Sequence, residues 1–170
     1  MADRTAANVG VVGAGAFGTA MAVVLHRAGM DPLVWAHEAA TVAAINTGHA
    51  NPAFLPDIAL DPAITATDTL DSFDRCDLVV LVPPAQHMAR LAAELAPRLR
   101  PQTPLLLCSK GLERDSARLM SEVVAAAAPD HPVAVLSGPN FAGELARGLP
   151  AAATLAADDP DLARWLVGLL

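Results

Sequence analysis

Short apolar runs alternate with stretches of helical period almost from end to end of this chain, and no other feature narrows its possible folds so far. The runs Val9–Val12, Leu33–Trp35, Leu78–Val82, Leu105–Cys108 and Val133–Leu136 are bounded by Gly, Pro or Asp, as expected of strands buried on both faces. Between the first two, Phe17, Ala20, Met21, Val24, Leu25 and Ala28 recur at i, i+3, i+4 and i+7, with Gly29 placed to end the helix. Leu119, Met120, Val123, Val124 and Ala127 repeat the pattern ahead of Pro129. This order predicts an α/β fold, a doubly wound and mostly parallel sheet with helices on both faces. The 170 residues suit one domain, residues 1–170, and a composition of 54% hydrophobic against 17% charged is too apolar for disorder. Thr47 to Pro62, rich in Pro, Asn and Asp, reads as one long irregular loop, of the kind that is usually functional or mobile.

Several classes are disfavoured early. No apolar run reaches the length of a membrane span, and Met1 to Ala7 form a polar lead-in without a signal-peptide core. A net charge of −7 argues against nucleic acid or an anionic membrane as partner. Cys76 and Cys108 form no CxxC pair and read as thiols in a reducing compartment, with a disulfide left open. The histidines are scattered without metal-site spacing, so no metal is expected. A cytoplasmic location follows as the default expectation.

The strongest local motif is Gly13-Ala14-Gly15-Ala16-Phe17-Gly18, which follows the strand Asn8–Val12 and opens a helix. In a dinucleotide site the first glycine permits the tight turn and the second lets backbone approach a pyrophosphate. The third lets helix and strand pack closely. Free N–H groups and the positive end of the helix dipole would face the phosphates. The alternative is a glycine cluster that only makes a tight turn. An acidic residue on a ribose is expected about 20 residues further on. There the chain reads Trp35-Ala36-His37-Glu38: Glu38 could accept from a ribose hydroxyl, His37 could donate to a 2′-phosphate, or His37 could be a solvated helix-start residue. These residues leave NAD and NADP both open.

Lys110, in Ser109-Lys110-Gly111, is the only lysine in the chain; every other Lys/Arg position is arginine. It follows a strand at the carboxyl end of the sheet, where open α/β sheets bind ligands, and its compact charge can neutralise phosphate or polarise a carbonyl. A surface lysine in a turn is the plainer alternative. Ser137-Gly138-Pro139-Asn140-Phe141 ends another strand: Gly138 would let backbone approach a ligand, and Asn140 would offer an amide or merely cap the following helix. Pro83 and Pro84 would make a stiff wall in a third such loop. His87 lies near that loop and is a weak candidate for a catalytic acid.

Together, Gly13–Ala20, Asn51–Ile58 with Phe54-Leu55-Pro56, Val82-Pro83, Ser109-Lys110-Gly111-Leu112-Glu113 and Leu136–Ala142 resemble the NAD(P)-dependent glycerol-3-phosphate dehydrogenases of bacterial type. The resemblance implies a Rossmann-like NAD(P)-binding domain and an oxidoreductase that interconverts dihydroxyacetone phosphate and sn-glycerol 3-phosphate for phospholipid synthesis. It implies that Ala16, Phe17, His37, Phe54 and Ala142 line an NAD or NADP cofactor beside the glycine loop and Pro83. Lys110 would meet both nicotinamide and substrate, and Gly138 and Asn140 would touch substrate. Phe17 stands where the family often has Trp, Phe54 where Tyr is frequent, and Asn140 where Ser or Thr is common. The family's principal proton-transfer lysine lies in a second, all-helical domain that these residues do not include.

The final segment reads as a helix, with Asp159 as N-cap, Pro160 at the first position and an apolar stripe of Leu162, Trp165, Leu166, Leu169 and Leu170. The chain ends inside that stripe without a stop signal, so more protein is expected to follow, and any stripe left exposed would favour self-association. Two other readings stay open: the cofactor domain of a hydroxy-acid or sugar-nucleotide dehydrogenase, and an NAD(P)-sensing module without chemistry.

Overall fold

A computed structural model of the chain describes residues 8–170; the polar lead-in, Met1 to Ala7, lies outside the described residues. The strands are β1 (Asn8–Val12), β2 (Asp31–Trp35), β3 (Ala50–Asn51), β4 (Leu55–Ala59), β5 (Thr65–Thr67), β6 (Leu78–Leu81), β7 (Leu105–Leu107), β8 (Val133–Ser137) and β9 (Thr154–Ala157). The helices are α1 (Ala16–Arg27), α2 (Ala39–Gly48), α3 (Met88–Leu95), α4 (Met120–Ala127), α5 (Ala142–Arg147) and α6 (Pro160–Leu169). Seven strands form one sheet in the order β5-β2-β1-β6-β7-β8-β9. Every neighbouring pair is parallel except β8–β9.

The chain winds outward from β1 through β2 to β5, then returns to β6 on the other side of β1. The reversal leaves a crevice at the carboxyl ends of β1 and β6, because the connections after these strands leave toward opposite faces. Alternation along the strands feeds two cores. Val9, Val11, Val34 and Leu106 pack with Met21, Ile45, Leu162 and Leu166 on one face. Val12, Leu105 and Leu107 pack with Phe73, Leu91, Leu95, Val123 and Val124 on the other. The all-apolar strands β6 and β7 are buried throughout, as a sheet covered on both faces requires.

The predicted strands and helices are present, with three corrections. The stretch Thr47 to Pro62 is not one irregular loop: Thr47 and Gly48 end α2, and β3 and β4 then pair as a small antiparallel hairpin. β5 and β9 are additional strands at the two edges of the sheet. All three are short, and none carries a run of large apolar residues, so periodicity alone gives them no signal. Cys76 and Cys108 are free thiols, both buried.

Candidate functional site

The three glycines of the first turn are demanded by three different contacts. Gly13 has φ +118°, and a Cβ there would lie 3.2 Å from the Val82 carbonyl, so the turn needs both the positive φ and the missing side chain. A Cβ on Gly18 would lie 1.8 Å from the Gly13 carbonyl oxygen, so α1 can seat against the turn only without one. Gly15 meets nothing within 4 Å. It is exposed, extended, and the N-cap of α1, with no side-chain cap and no acidic residue in the first turn. A free helix N-terminus with open space in front of it is suited to an anion.

In front of it lies a cleft of about 730 Å3 at the sheet's switch point. Gly13 to Phe17 form one wall, with the loop after β2 (Trp35, His37, Glu38), Phe54 from the β3–β4 turn, and the loops after β6 (Val82 to Ala85) and β7 (Cys108 to Lys110) completing it. These loops are braced to one another. Trp35 Nε1 donates to the Asp68 carbonyl at 3.1 Å, and its ring lies 6.2 Å from that of His37. The Ser109 hydroxyl donates to the Pro83 carbonyl. Gln86 bridges to the next loop, donating to the Leu112 carbonyl and accepting from the Arg114 N–H, each at 3.0 Å. Lys110 Nζ donates to the Gly138 carbonyl at 3.1 Å, tying the loops after β7 and β8. Burial pushes the Cys108 thiol up to about 12, so it is a neutral part of the wall and not a nucleophile.

The model of the family described as NAD-dependent glycerol-3-phosphate dehydrogenase N-terminus matches residues 8–163. The chain belongs to this family. It is 52% identical over 157 residues to a glycerol-3-phosphate dehydrogenase (NAD(P)+) of Caulobacter vibrioides, covering 92% of this chain and 47% of that protein. A namesake from Paramagnetospirillum magneticum is 51% identical over 163 residues, 96% of this chain and 59% of its own length. Among solved structures, the glycerol-3-phosphate dehydrogenase of Coxiella burnetii superposes with a TM-score of 0.90 at 30% identity, covering 97% of this chain and 51% of that one. The chain thus spans about half the length of the relatives it matches. Membership in the glycerol-3-phosphate dehydrogenase family sets aside a hydroxy-acid or sugar-nucleotide dehydrogenase.

Of the residues that sequence reasoning tied to this family's chemistry, Gly13, Gly15, Ala16, Phe17, His37, Phe54, Pro83 and Lys110 all line the one cleft. Gly18 sits behind the turn, buried, in the packing role expected of it. Gly138, Asn140 and Ala142 are not part of the cleft wall. Gly138 joins it through the Lys110 hydrogen bond, and Asn140 lines a second groove of about 250 Å3, from which Phe17 separates the cleft. Ala142 packs in a small cluster with Ala16 and Leu55, beside the glycine turn. The neighbour that makes Gly138 necessary is the chain's own backbone: a Cβ would lie 2.7 Å from the Ala152 carbonyl. The N-cap of α5 is Phe141, so Asn140 does not cap that helix.

Sequence reasoning gave no individual role to Arg90, Gln86, Ser109 or the buried Asn51, although Ser109 and Asn51 fall within the stretches that carry the resemblance. Arg90 lies on α3 one turn beyond His87, and both line the cleft. Arg90 also pairs with Glu94 at 2.9 Å. Helical spacing after His87 would have indicated Arg90; the stretch Asn51–Ile58 marked Asn51, but nothing local tells of its contact with Ala14, 37 residues away.

Proposed function

We propose that this chain is the cofactor-binding half of a glycerol-3-phosphate dehydrogenase, holding NAD(H) or NADP(H) in the cleft for interconversion of dihydroxyacetone phosphate and sn-glycerol 3-phosphate. The observation that carries the reading is the uncapped N-terminus of α1 behind Gly15, open to a cleft whose far side carries the solitary lysine. The pyrophosphate fits the first feature, since free N–H groups and the helix dipole both favour negative charge. When bound, the nicotinamide supplies or accepts the hydride.

Each residue then has a task. Phe17 and Phe54 provide apolar packing, and the buried Pro83 a rigid wall. His37, Glu38 and Arg90 are the polar groups among which a ribose hydroxyl or a 2′-phosphate would choose. Lys110 places positive charge where a carbonyl oxygen gains negative charge, an effect strongest in the transition state. Gly138 and Asn140 lie on the loop that Lys110 reaches and are the proposed substrate contacts. The chain has no second lysine, and we assign proton transfer to the part of the longer relatives that these residues do not span. The reading includes a cytoplasmic enzyme of glycerophospholipid synthesis; two unpaired thiols, and no helix among the described residues long and apolar enough to cross a membrane, fit that setting. It also includes self-association, for which the exposed Val167 and Leu170 offer apolar surface.

Calorimetric titration with NADH and NADPH tests the cofactor assignment, and no heat with either would overturn it. An NADH-oxidation assay with dihydroxyacetone phosphate tests the rest. The chain alone is expected to be inactive and a full-length relative active. Equal specific activity would place the whole chemistry within these residues.

A further inference from the structure

We infer that Asn51 is a positioning residue for the glycine turn: its buried amide holds the Ala14 carbonyl and thereby aims the Gly15 N–H outward at the bound pyrophosphate. The inference rests on the cofactor reading above and adds a residue to it. Asn51 comes from the β3–β4 hairpin, far from the turn in sequence, yet only 1% of its surface is exposed. Both hydrogens of its amide are used, Nδ2 donating at 2.8 Å to the Ala14 carbonyl and at 2.8 Å to the Thr19 hydroxyl. Thr19, equally buried, donates to the same Ala14 carbonyl at 3.4 Å.

The consequence follows from peptide geometry. In a planar trans peptide the C=O and the next N–H point in opposite directions. The Ala14 oxygen is drawn inward to Asn51 and Thr19, so the Gly15 N–H must point outward, on the side where Gly15 lines the cleft. Without that hold, a peptide that ends at a glycine, free of the Cβ restriction on its backbone, could rotate at lower cost. The Asn51 Oδ1 is buried without a hydrogen-bond partner among the described residues, so the amide's bonding is all on its donor side, toward the turn and α1.

The test follows the Gly15 amide by two-dimensional NMR while the isotope-labelled chain is titrated with NADH. Asn51→Asp keeps the shape without the donors, and Asn51→Ala removes both; either serves if the other does not fold. Val124→Ala, buried on α4 away from the cleft, controls for lost stability. In the wild type, NADH should shift the Gly15 amide proton downfield. In the Asn51 variants that shift should vanish and the dissociation constant rise about tenfold or more, while Val124→Ala melts earlier but binds as the wild type does. A folded Asn51 variant that keeps both the shift and the affinity overturns the inference. A wild type that binds neither NADH nor NADPH overturns the cofactor reading instead.

Discussion

Gly15 and Gly18 stand one helical turn apart, and substituting them should fail for opposite reasons. A side chain at Gly15 points into open space from extended backbone, so Gly15→Val should melt within a few degrees of wild type yet lose most of its affinity for NADH. At Gly18 the added carbon would fall 1.8 Å from the Gly13 oxygen. Overpacking costs about 1–3 kcal/mol where side chains can yield, and here the obstacle is backbone, so Gly18→Ala should cost at least that much. Thermal melts paired with calorimetric titration separate the two, and equal melting temperatures would refute the packing role of Gly18. The motif's location was legible in the sequence, because strand, glycine spacing and helix are contiguous. The tasks of its three glycines were legible there too; the contacts that enforce them, Gly13 against the Val82 carbonyl and Gly18 against the Gly13 oxygen, are visible only in the folded chain.

Among the elements, α6 shows how a short local signal becomes tertiary stability. The Asp159 carboxylate accepts from the Asp161 N–H at 2.8 Å and Pro160 takes the first helical position, as their order in the sequence predicts. The helix then buries Leu162 and Leu166 in the core on α1's face of the sheet, with Trp165 and Leu169 packed at its margin. Leu166, fully buried, should cost about 2–5 kcal/mol when cut to Ala, and loss of the Asp159 cap about 0.5–2 kcal/mol. Urea midpoints of the two variants measure both; a Leu166→Ala midpoint no lower than that of Asp159→Ala would contradict the burial. Of the expected stripe only Leu170 is exposed, and Val167, outside the stripe, adds exposed apolar surface beside it. The β3–β4 hairpin is the opposite case. With a strand of two residues and a proline in its partner, it has no period to read, and packing of Leu55 and Ile58 against α1 and α5 holds it.

At the scale of the whole molecule, the cores on the two faces of the sheet each enclose a thiol that resists ionisation. Burial is the leading cause at both Cys76 and Cys108, with the neighbouring Asp77 carboxylate adding at Cys76, and each is pushed up to about 12 from an unfolded value of 9.0. A raised thiol value means that the folded chain keeps a proton the unfolded chain has lost. The associated stability is therefore complete below pH 9 and declines as pH rises toward 12. The decline should be on the order of 1.4 kcal/mol per pH unit for each thiol within that window. Urea denaturation at pH 8 and pH 10.5, repeated on the Cys76→Ala, Cys108→Ala double variant, checks this; equal slopes with pH in the two proteins would refute it. Under native conditions at pH 8 neither thiol should react with iodoacetamide on the timescale of unfolded controls.

The sequence by itself determined the alternation of strand and helix, the doubly wound sheet, the glycine turn and the special standing of Lys110. Each is written in contiguous residues or in a local period, and apolar periodicity forces burial wherever the chain goes. Only the tertiary structure decided which loops meet. It brought His37, Phe54, Pro83 and Lys110 to one cleft, and set Gly138 against Ala152. It added β5 and β9 at the sheet edges, and carried Asn51 beneath the turn at Ala14. Those outcomes depend on contacts between residues far apart in the chain, where the identity of one partner says nothing until the other has been placed beside it.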